Sequence, residues 1–135
     1  MNLVKNIIQA LHTLGYEKPL PVQEQVIPNI LSGKDCIVKS RTGSGKTASF
    51  AIPIIQNLEI DERSPQALVL TPTRELALQI QQDFDRIGTF KKIKTLPIFG
   101  KQPFKFQKED LKQRCHVVIG TPGRVLDHLQ QQTLD

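Results

Sequence analysis

The chain has 135 residues, of which 39% are apolar, with nine prolines, eight glycines and no low-complexity tract, so it can bury a core and is not typical of a disordered segment. No apolar run approaches the roughly 20 residues that span a bilayer, and no signal peptide opens the chain, so we expect no membrane segment. The two cysteines, Cys36 and Cys115, lack the spacing of a metal site. We expect both to be buried or partly buried thiols of a reducing compartment, which indicates the cytoplasm.

The net charge of +5 is unevenly distributed along the chain. Residues 86–114 hold nine lysines and arginines against two acids, a net charge of +7, whereas the remainder holds nine against eleven, a net charge of −2. This asymmetry favours a polyanionic partner such as a nucleic acid. The alternative is a solvated lysine face, and charge alone does not separate the two.

Two helices are predicted near the start of the chain. Apolar residues recur at spacings of four, four and three from Leu3 to Leu14, and Gly15 can end that amphipathic helix. A loop with two prolines follows. The second helix has Pro21 near its first turn and carries Gln23, which by its pattern alone is an exposed glutamine.

A glycine-rich segment, residues 40–47, has the sequence Ser-Arg-Thr-Gly-Ser-Gly-Lys-Thr. The apolar run before it, residues 35–39, is predicted to be a buried strand. The run after it, residues 48–57, is predicted to be a helix that Pro53 kinks or ends early. A glycine-rich turn between a strand and a helix is where a nucleoside triphosphate can be held.

The residue types in this turn suit phosphate binding. Gly43 and Gly45 let the backbone approach the phosphates closely, and successive N–H groups at the helix start form an anion nest. Lys46 would reach the β- and γ-phosphates, and the Thr47 hydroxyl would ligate Mg²⁺. Ser40 stands where the P-loop pattern has its first glycine. The alternative is a glycine-rich connection with an incidental Lys-Thr pair.

Strands alternate with helices over the second half of the chain. Apolar runs predict strands at residues 67–70, 94–99 and 116–119. A helix follows each strand: one capped by Thr73, a short basic one at residues 104–113, and a last one that ends near Gln130. This alternation predicts a three-layer α/β fold with a parallel sheet.

Ligands of such sheets gather at the carboxyl ends of the strands. The loops at that edge are residues 40–47, 71–74, 99–101 and 120–124. Three of the four place Thr, Gly or Arg at a helix start, which suits anionic groups. The alternative is that they are ordinary helix entries.

Four segments resemble motifs of the DEAD-box RNA helicases, in the order in which that family has them. Residues 15–23 (Gly-Tyr-Glu-Lys-Pro-Leu-Pro-Val-Gln) resemble the Q motif, and residues 40–47 resemble motif I. Residues 72–79 (Pro-Thr-Arg-Glu-Leu-Ala-Leu-Gln) resemble motif Ia, and residues 121–124 (Thr-Pro-Gly-Arg) match motif Ib. The resemblance covers nearly the whole chain.

The resemblance implies a site for ATP and Mg²⁺. Tyr16 and Gln23 would contact adenine, and a bidentate pair from Gln23 would select ATP over GTP. Lys46 and Thr47 would be the catalytic residues, and Thr47 the metal ligand. The residues of motif I that would bind the nucleotide are Thr42, Gly43, Ser44, Gly45, Lys46 and Thr47.

The resemblance also implies that RNA is held by its backbone, without reading of sequence. The residues concerned are Pro72, Thr73, Arg74, Gly100, Thr121, Pro122, Gly123 and Arg124. Arg74 and Arg124 either contact phosphate or make structural ion pairs. The segment Phe99-Gly100-Lys101 retains one glycine of a Gly-Gly segment of the family. With the glutamine that follows, it resembles bacterial members that act on ribosomal RNA.

The implied function is that of an ATP-dependent RNA helicase, with residues 1–135 as a partial RecA-like ATP-binding domain. The family's Asp-Glu-Ala-Asp and Ser-Ala-Thr motifs do not occur before Asp135, and neither does its second RecA-like domain. We therefore expect the 135-residue chain not to hydrolyse ATP and to be poorly stable alone. A non-catalytic nucleotide- or RNA-binding protein is the alternative. Residues 72–79 argue against an unrelated P-loop enzyme.

Overall fold

The computed structural model describes residues 3–39 and 45–135. Its helices are α1 (Lys5–Thr13), α2 (Pro21–Leu31), α3 (Lys46–Asn57), α4 (Arg74–Ile87), α5 (Phe104–Leu111) and α6 (Pro122–Gln130), with a short 3₁₀ turn at Thr89–Lys91. Its strands are β1 (Ala67–Leu70), β2 (Thr95–Ile98) and β3 (Val117–Gly120). The chain forms two compact units: Met1–Leu58 with Arg86–Lys92, and Glu59–Asp85 with Ile93–Asp135.

The first unit is helical. Helix α2 begins at Pro21, as predicted, because its fixed φ and missing N–H suit the first helical position. Helix α2 packs against α3, which runs through Pro53 to Asn57 and so does not end early. The ammonium of Lys91 donates to the carbonyl oxygens of Ile55 (2.7 Å) and Gln56 (2.8 Å) in the last turn of α3. One base of the positively charged segment is thus a helix cap.

Residues 35–39 form no strand, so the prediction of a buried strand here was wrong. Ile37 is fully exposed, and Cys36 is exposed rather than buried. A strand needs a neighbour that pairs with its N–H and C=O groups, whatever its own apolar pattern. In the described part of the chain, the only sheet is made by β1, β2 and β3, and residues 35–39 do not join it.

The second unit contains a parallel sheet with strand order β1-β3-β2, which confirms the predicted α/β fold with a parallel sheet. The central strand β3 is buried on both faces. Burial raises the pKa of Cys115, just before β3, to about 11, so its side chain is an inert thiol at neutral pH. Among the described residues, no helix is long and apolar enough to cross a membrane.

The sheet ends in register at its carboxyl edge, where Leu70, Gly120 and Ile98 are aligned. Gly120 is required there by packing, because an added Cβ would lie 2.6 Å from the Ile98 carbonyl oxygen and 2.6 Å from a methyl of Val125. The loops that follow the three strands therefore begin at adjacent points, about 4.8 Å apart from strand to strand.

Candidate nucleotide and nucleic-acid sites

Gln23 is buried, contrary to the exposed glutamine that the sequence pattern indicated. Only 2% of its surface is accessible. Its Oε1 accepts a hydrogen bond from the N–H of Leu20 (2.9 Å), which is the glutamine half of a capping box at the start of α2. Its Nε2 donates to the carbonyl oxygen of Gly45 (3.4 Å). Gln23 is thereby joined to the last glycine of the glycine-rich segment, residues 40–47.

These two bonds use only part of the hydrogen-bonding capacity of Gln23. A glutamine amide has two N–H groups and two acceptor lone pairs, so one of each remains. A bidentate contact with adenine needs one donor and one acceptor. The capping role and the adenine-binding role are therefore compatible.

A cavity of about 530 Å³ lies beside Gln23 in the first unit. Tyr16, which is 41% exposed, lines the same cavity. Most of the other lining groups are apolar, among them Leu11, Ile27 and Ile52. A largely apolar cavity with one aromatic ring and one oriented amide suits a flat heterocyclic base.

The described end of the glycine-rich segment, residues 45–47, has the backbone expected of a turn into a helix. Gly45 has φ +88°, a left-handed conformation that side chains disfavour, and it precedes the first residue of α3, Lys46. The Lys46 side chain is exposed, Thr47 is half-buried, and the first turn of α3 carries no acidic residue. This helix start suits phosphate. Thr42, Gly43 and Ser44, also predicted to bind the nucleotide, lie outside the described residues.

In the second unit, three loops that the sequence assigned to RNA lie side by side. The N–H of Thr71 donates to the Gly120 carbonyl oxygen (2.9 Å), and the N–H of Thr121 donates to the Ile98 carbonyl oxygen (2.9 Å). These bonds continue the hydrogen-bonded pairing of the parallel sheet by one residue beyond the ends of the strands. The exposed Pro72 and Pro122 follow directly, Pro122 as the first residue of α6.

The start of α4 is fixed by its own side chains. Thr73 is the predicted N-cap, since its Oγ1 accepts the N–H of Leu76 (3.2 Å). The guanidinium of Arg74 lies 4.8 Å from the ring centroid of Phe99, a cation–π contact that ties this loop to the one after β2.

Backbone is accessible at Gly100 and Gly123, where an added Cβ would meet nothing within 4 Å. Lys101, beside Gly100, has φ +66° although it is not a glycine. That conformation is strained for lysine, and a glycine would adopt it freely. Lys101, in the segment that resembles a Gly-Gly segment, thus has a backbone conformation that favours glycine.

Arg124 contacts other groups of the protein. This is the structural role that the sequence left open beside phosphate binding. Its Nη1 donates to the backbone oxygen of Gln102 (2.8 Å) and to Oε1 of Gln107 (3.0 Å), and its Nε lies 3.6 Å from a carboxylate oxygen of Asp127. Its side chain is only 16% exposed. Arg124 positions the loop after β2 against α6 in this structure.

Gln107 is the centre of this network and was not identified from the sequence. It is buried, and its Nε2 donates to the carbonyl oxygen of Phe99 (2.9 Å). Its Oε1 accepts from Arg124 and lies 2.9 Å from Nε2 of His128. A signal was available: Gln107 is spaced three from Phe104 and four from Leu111, the apolar face of α5.

His128 is held as a neutral ring. Because Oε1 of Gln107 can only accept, Nε2 of His128 carries a proton. Nδ1 lies 2.7 Å from Oγ1 of Thr133, whose hydroxyl donates to the His128 carbonyl oxygen (3.1 Å). The ring also stacks on Phe104, with centroids 4.1 Å apart. Burial lowers the pKa of His128 below 6.5, the charge of nearby Arg124 lowers it further, and Asp127 opposes both.

The stability of the second unit should fall as the pH drops below about 6.5, because the unfolded chain then binds a proton at His128 that the folded chain excludes. The contribution is fully present above that pH. NMR titration of the His128 ring, with urea unfolding at each pH, measures it. His128→Gln should flatten the dependence, whereas His12→Gln, on an exposed site of α1, should not. A ring that titrates above 6.5 in the folded chain would contradict the assignment.

Comparison with known proteins places this chain. The DEAD/DEAH box helicase family model matches residues 20–135. The chain belongs to the DEAD/DEAH box helicase family. The ATP-dependent RNA helicase DbpA of Bacillus subtilis is 57% identical over 129 residues, which cover 96% of this chain and 27% of that relative. The chain thus spans about a quarter of the length of such DEAD-box relatives.

Solved DEAD-box structures share the fold. A DEAD box protein from Methanococcus jannaschii is 42% identical, with a TM-score of 0.94 over all of this chain and 37% of that one. Dbp5 of Saccharomyces cerevisiae, bound to RNA and ADP BeF3, is 29% identical, with a TM-score of 0.89 over 99% of this chain and 34% of that one. The RecA-like fold expected from the resemblance is confirmed.

Proposed function

We propose that this chain is the ATP- and RNA-binding part of an ATP-dependent RNA helicase motor. The first unit would bind ATP, and the second would hold the backbone of single-stranded RNA. The observation that carries the proposal is Gln23, a buried amide that is joined to Gly45 and lines the same cavity as Tyr16.

Nucleotide binding divides among the residues of the first unit. Adenine would enter the cavity between Tyr16 and Gln23, and the triphosphate would reach the start of α3. Lys46 would contact the β- and γ-phosphates, and the hydroxyl of Thr47 would hold Mg²⁺, for which an oxygen donor at this helix start is suitable. The ion, when bound, neutralises charge on the phosphates.

RNA binding would use the carboxyl edge of the sheet. The accessible backbone at Gly100 and Gly123, the starts of α4 and α6, and the cation of Arg74 can contact phosphates without reading bases. Pro72, Thr73, Thr121 and Pro122 would shape these loops. Arg124 would act by positioning, since its guanidinium is occupied. The resemblance of residues 99–102 favours ribosomal RNA as the target, and the two free cysteines favour the cytoplasm.

RNA-stimulated ATP hydrolysis by the complete protein is the test. We expect phosphate release to increase when mixed-sequence single-stranded RNA is added. Affinity should vary little with sequence and fall steeply with salt, with a slope of about −0.7 per phosphate neutralised. Nucleotide and RNA binding without hydrolysis would favour the non-catalytic alternative, and a flat salt dependence would exclude backbone recognition.

Gln23→Ala should reduce the discrimination between ATP and GTP by about 1–3 kcal/mol, because the amide pairs with the adenine edge. Competition binding of both nucleotides to the complete protein measures it. Gln25→Ala is the matched control, since Gln25 is on the same helix but exposed. An unchanged ATP/GTP ratio would leave Gln23 with its capping role alone.

A further inference from the structure

The lysines and arginines of residues 86–114 lie at different places in the structure, so not all of them can contact RNA at the carboxyl edge of the sheet. Lys91 caps α3. Lys94 and Arg114 lie at the amino ends of β2 and β3, the edge opposite the proposed RNA loops. The bases that follow the carboxyl end of β2 are Lys101 on the loop and then Lys105, Lys108 and Lys112 along α5, which runs back from this edge towards the amino end of β3.

The α5 bases lie on one face of the helix. Lys105, Lys108 and Lys112 are spaced by three and four residues, so their side chains are neighbours along the helix, and all three are exposed. Lys112 is paired with Glu109 at 3.1 Å. Lys105 and Lys108 make no ion pair among the described residues. Lys101 lies on the loop before α5, beside Gly100.

An exposed aromatic ring lies beside Lys105. Phe106 is 58% exposed, and the ammonium of Lys105 is 5.3 Å from its ring centroid. A ring left in solvent next to cations is the combination that binds single-stranded nucleic acid: cations contact the phosphates and the ring stacks on a base.

Helix α5 is also fixed rigidly to the loop that we assign to RNA. Gln107, on its buried face, donates to the backbone oxygen of Phe99, and Arg124 holds Gln102 and Gln107 together. Pro103 is the N-cap of α5, so the helix begins directly after this loop. An RNA strand that continues past Gly100 would therefore reach Lys105 first and then Lys108, about 4.5 Å further along the axis of α5.

We infer that α5 is an accessory binding surface for single-stranded RNA, with Lys105 and Lys108 contacting phosphates and Phe106 stacking on a base. This surface extends the path of RNA beyond the loops of the carboxyl edge. The inference rests on the proposed function. The charges of Lys105 and Lys108, which make no ion pair among the described residues, and the direct connection with the loop after β2 favour RNA as the occupant.

The test compares two charge-matched double variants of the complete protein. K105Q/K108Q removes two bases from α5, and R63Q/K94Q removes two exposed bases at the amino edge of the sheet. The probes are labelled single strands of about 5 and about 15 nucleotides, so that only the longer extends past the loops. K105Q/K108Q should weaken binding of the longer strand roughly tenfold near 0.1 M salt and reduce its salt slope by about 1.4. The control should change neither.

Phe106→Ala separates stacking from charge. It should weaken binding of the longer strand roughly tenfold, yet leave an abasic strand of the same length unaffected. If wild-type protein bound no RNA, the proposed function would fail. If it bound RNA and K105Q/K108Q behaved like R63Q/K94Q, only the accessory surface would be overturned. Loss of poly-glutamate binding with RNA binding intact would assign α5 to an acidic protein partner and overturn the inference.

Discussion

Replacing Lys46 with alanine is expected to abolish RNA-stimulated ATP hydrolysis by the complete protein. Lys46 is the first residue of α3, and its exposed side chain extends from the helix start to which we assign the triphosphate. Loss of one preorganised positive group from a phosphoryl-transfer site should lower the rate by at least about a hundredfold. Steady-state phosphate release at saturating RNA measures this loss.

Lys34→Ala is the matched control, since Lys34 is an exposed lysine of the same unit. Both variants should melt like the wild type, because neither side chain is part of the core. The Lys34 variant should keep its activity. Hydrolysis by the Lys46 variant within about twofold of wild type would contradict the assignment of this loop to the β- and γ-phosphates.

Sequence predicted those features of the fold that local chemistry determines. Strands β1 and β3 are apolar runs bounded by turn residues, and Thr73 caps α4 through its own hydroxyl. Pro21 starts α2 for a similarly local reason. Caps, turns and short apolar runs carry their signal within a few residues, so a single sequence reveals them.

Features that depend on distant partners were not predicted. The run at residues 35–39 has the pattern of a strand, but strand formation depends on a pairing partner that the pattern does not provide. Gln23 was interpreted as exposed because glutamine usually is. Its spacing of three and four from Val26 and Ile27 placed it on the buried face of α2, a signal that residue type obscured.

The residues of the candidate sites also differ in whether the sequence alone could identify them. Gly45, Lys46 and Thr47 form a contiguous pattern whose chemistry is apparent from residue type and order. The network of Gln107 joins α5 to α6 and to the loop after β2 through hydrogen bonds between residues 8 to 21 positions apart. The spacing of Gln107 indicates the buried face of α5. Neither Gln107 nor His128 has a type or spacing that identifies its partner, so only the structure assigns their positioning role.

Gly45→Ala should lower the affinity for ATP by more than tenfold, because two penalties act together. The first is the backbone: Gly45 has φ +88°, and a left-handed conformation costs an ordinary residue about 1–2 kcal/mol. The second is packing, since the new Cβ would lie 2.7 Å from Nε2 of Gln23 and 2.7 Å from Cδ1 of Leu20. Leu20 is 42% exposed and can turn away. Gln23 is 2% exposed and hydrogen-bonded, so the start of α3 must move instead.

Gly33→Ala tests the backbone penalty without the packing penalty. Gly33 has φ +84° but an added Cβ there would meet nothing within 4 Å, so this variant should melt at a lower temperature and still bind ATP normally. Isothermal titration of both variants with ATP makes the comparison. The double variant Gly45→Ala/Gln23→Ala removes the clash with the amide, so its loss of affinity should be smaller than the sum of the two single losses. Additive losses, or equal affinities of the Gly45 and Gly33 variants, would show that contact between Gln23 and the phosphate loop does not control the nucleotide site.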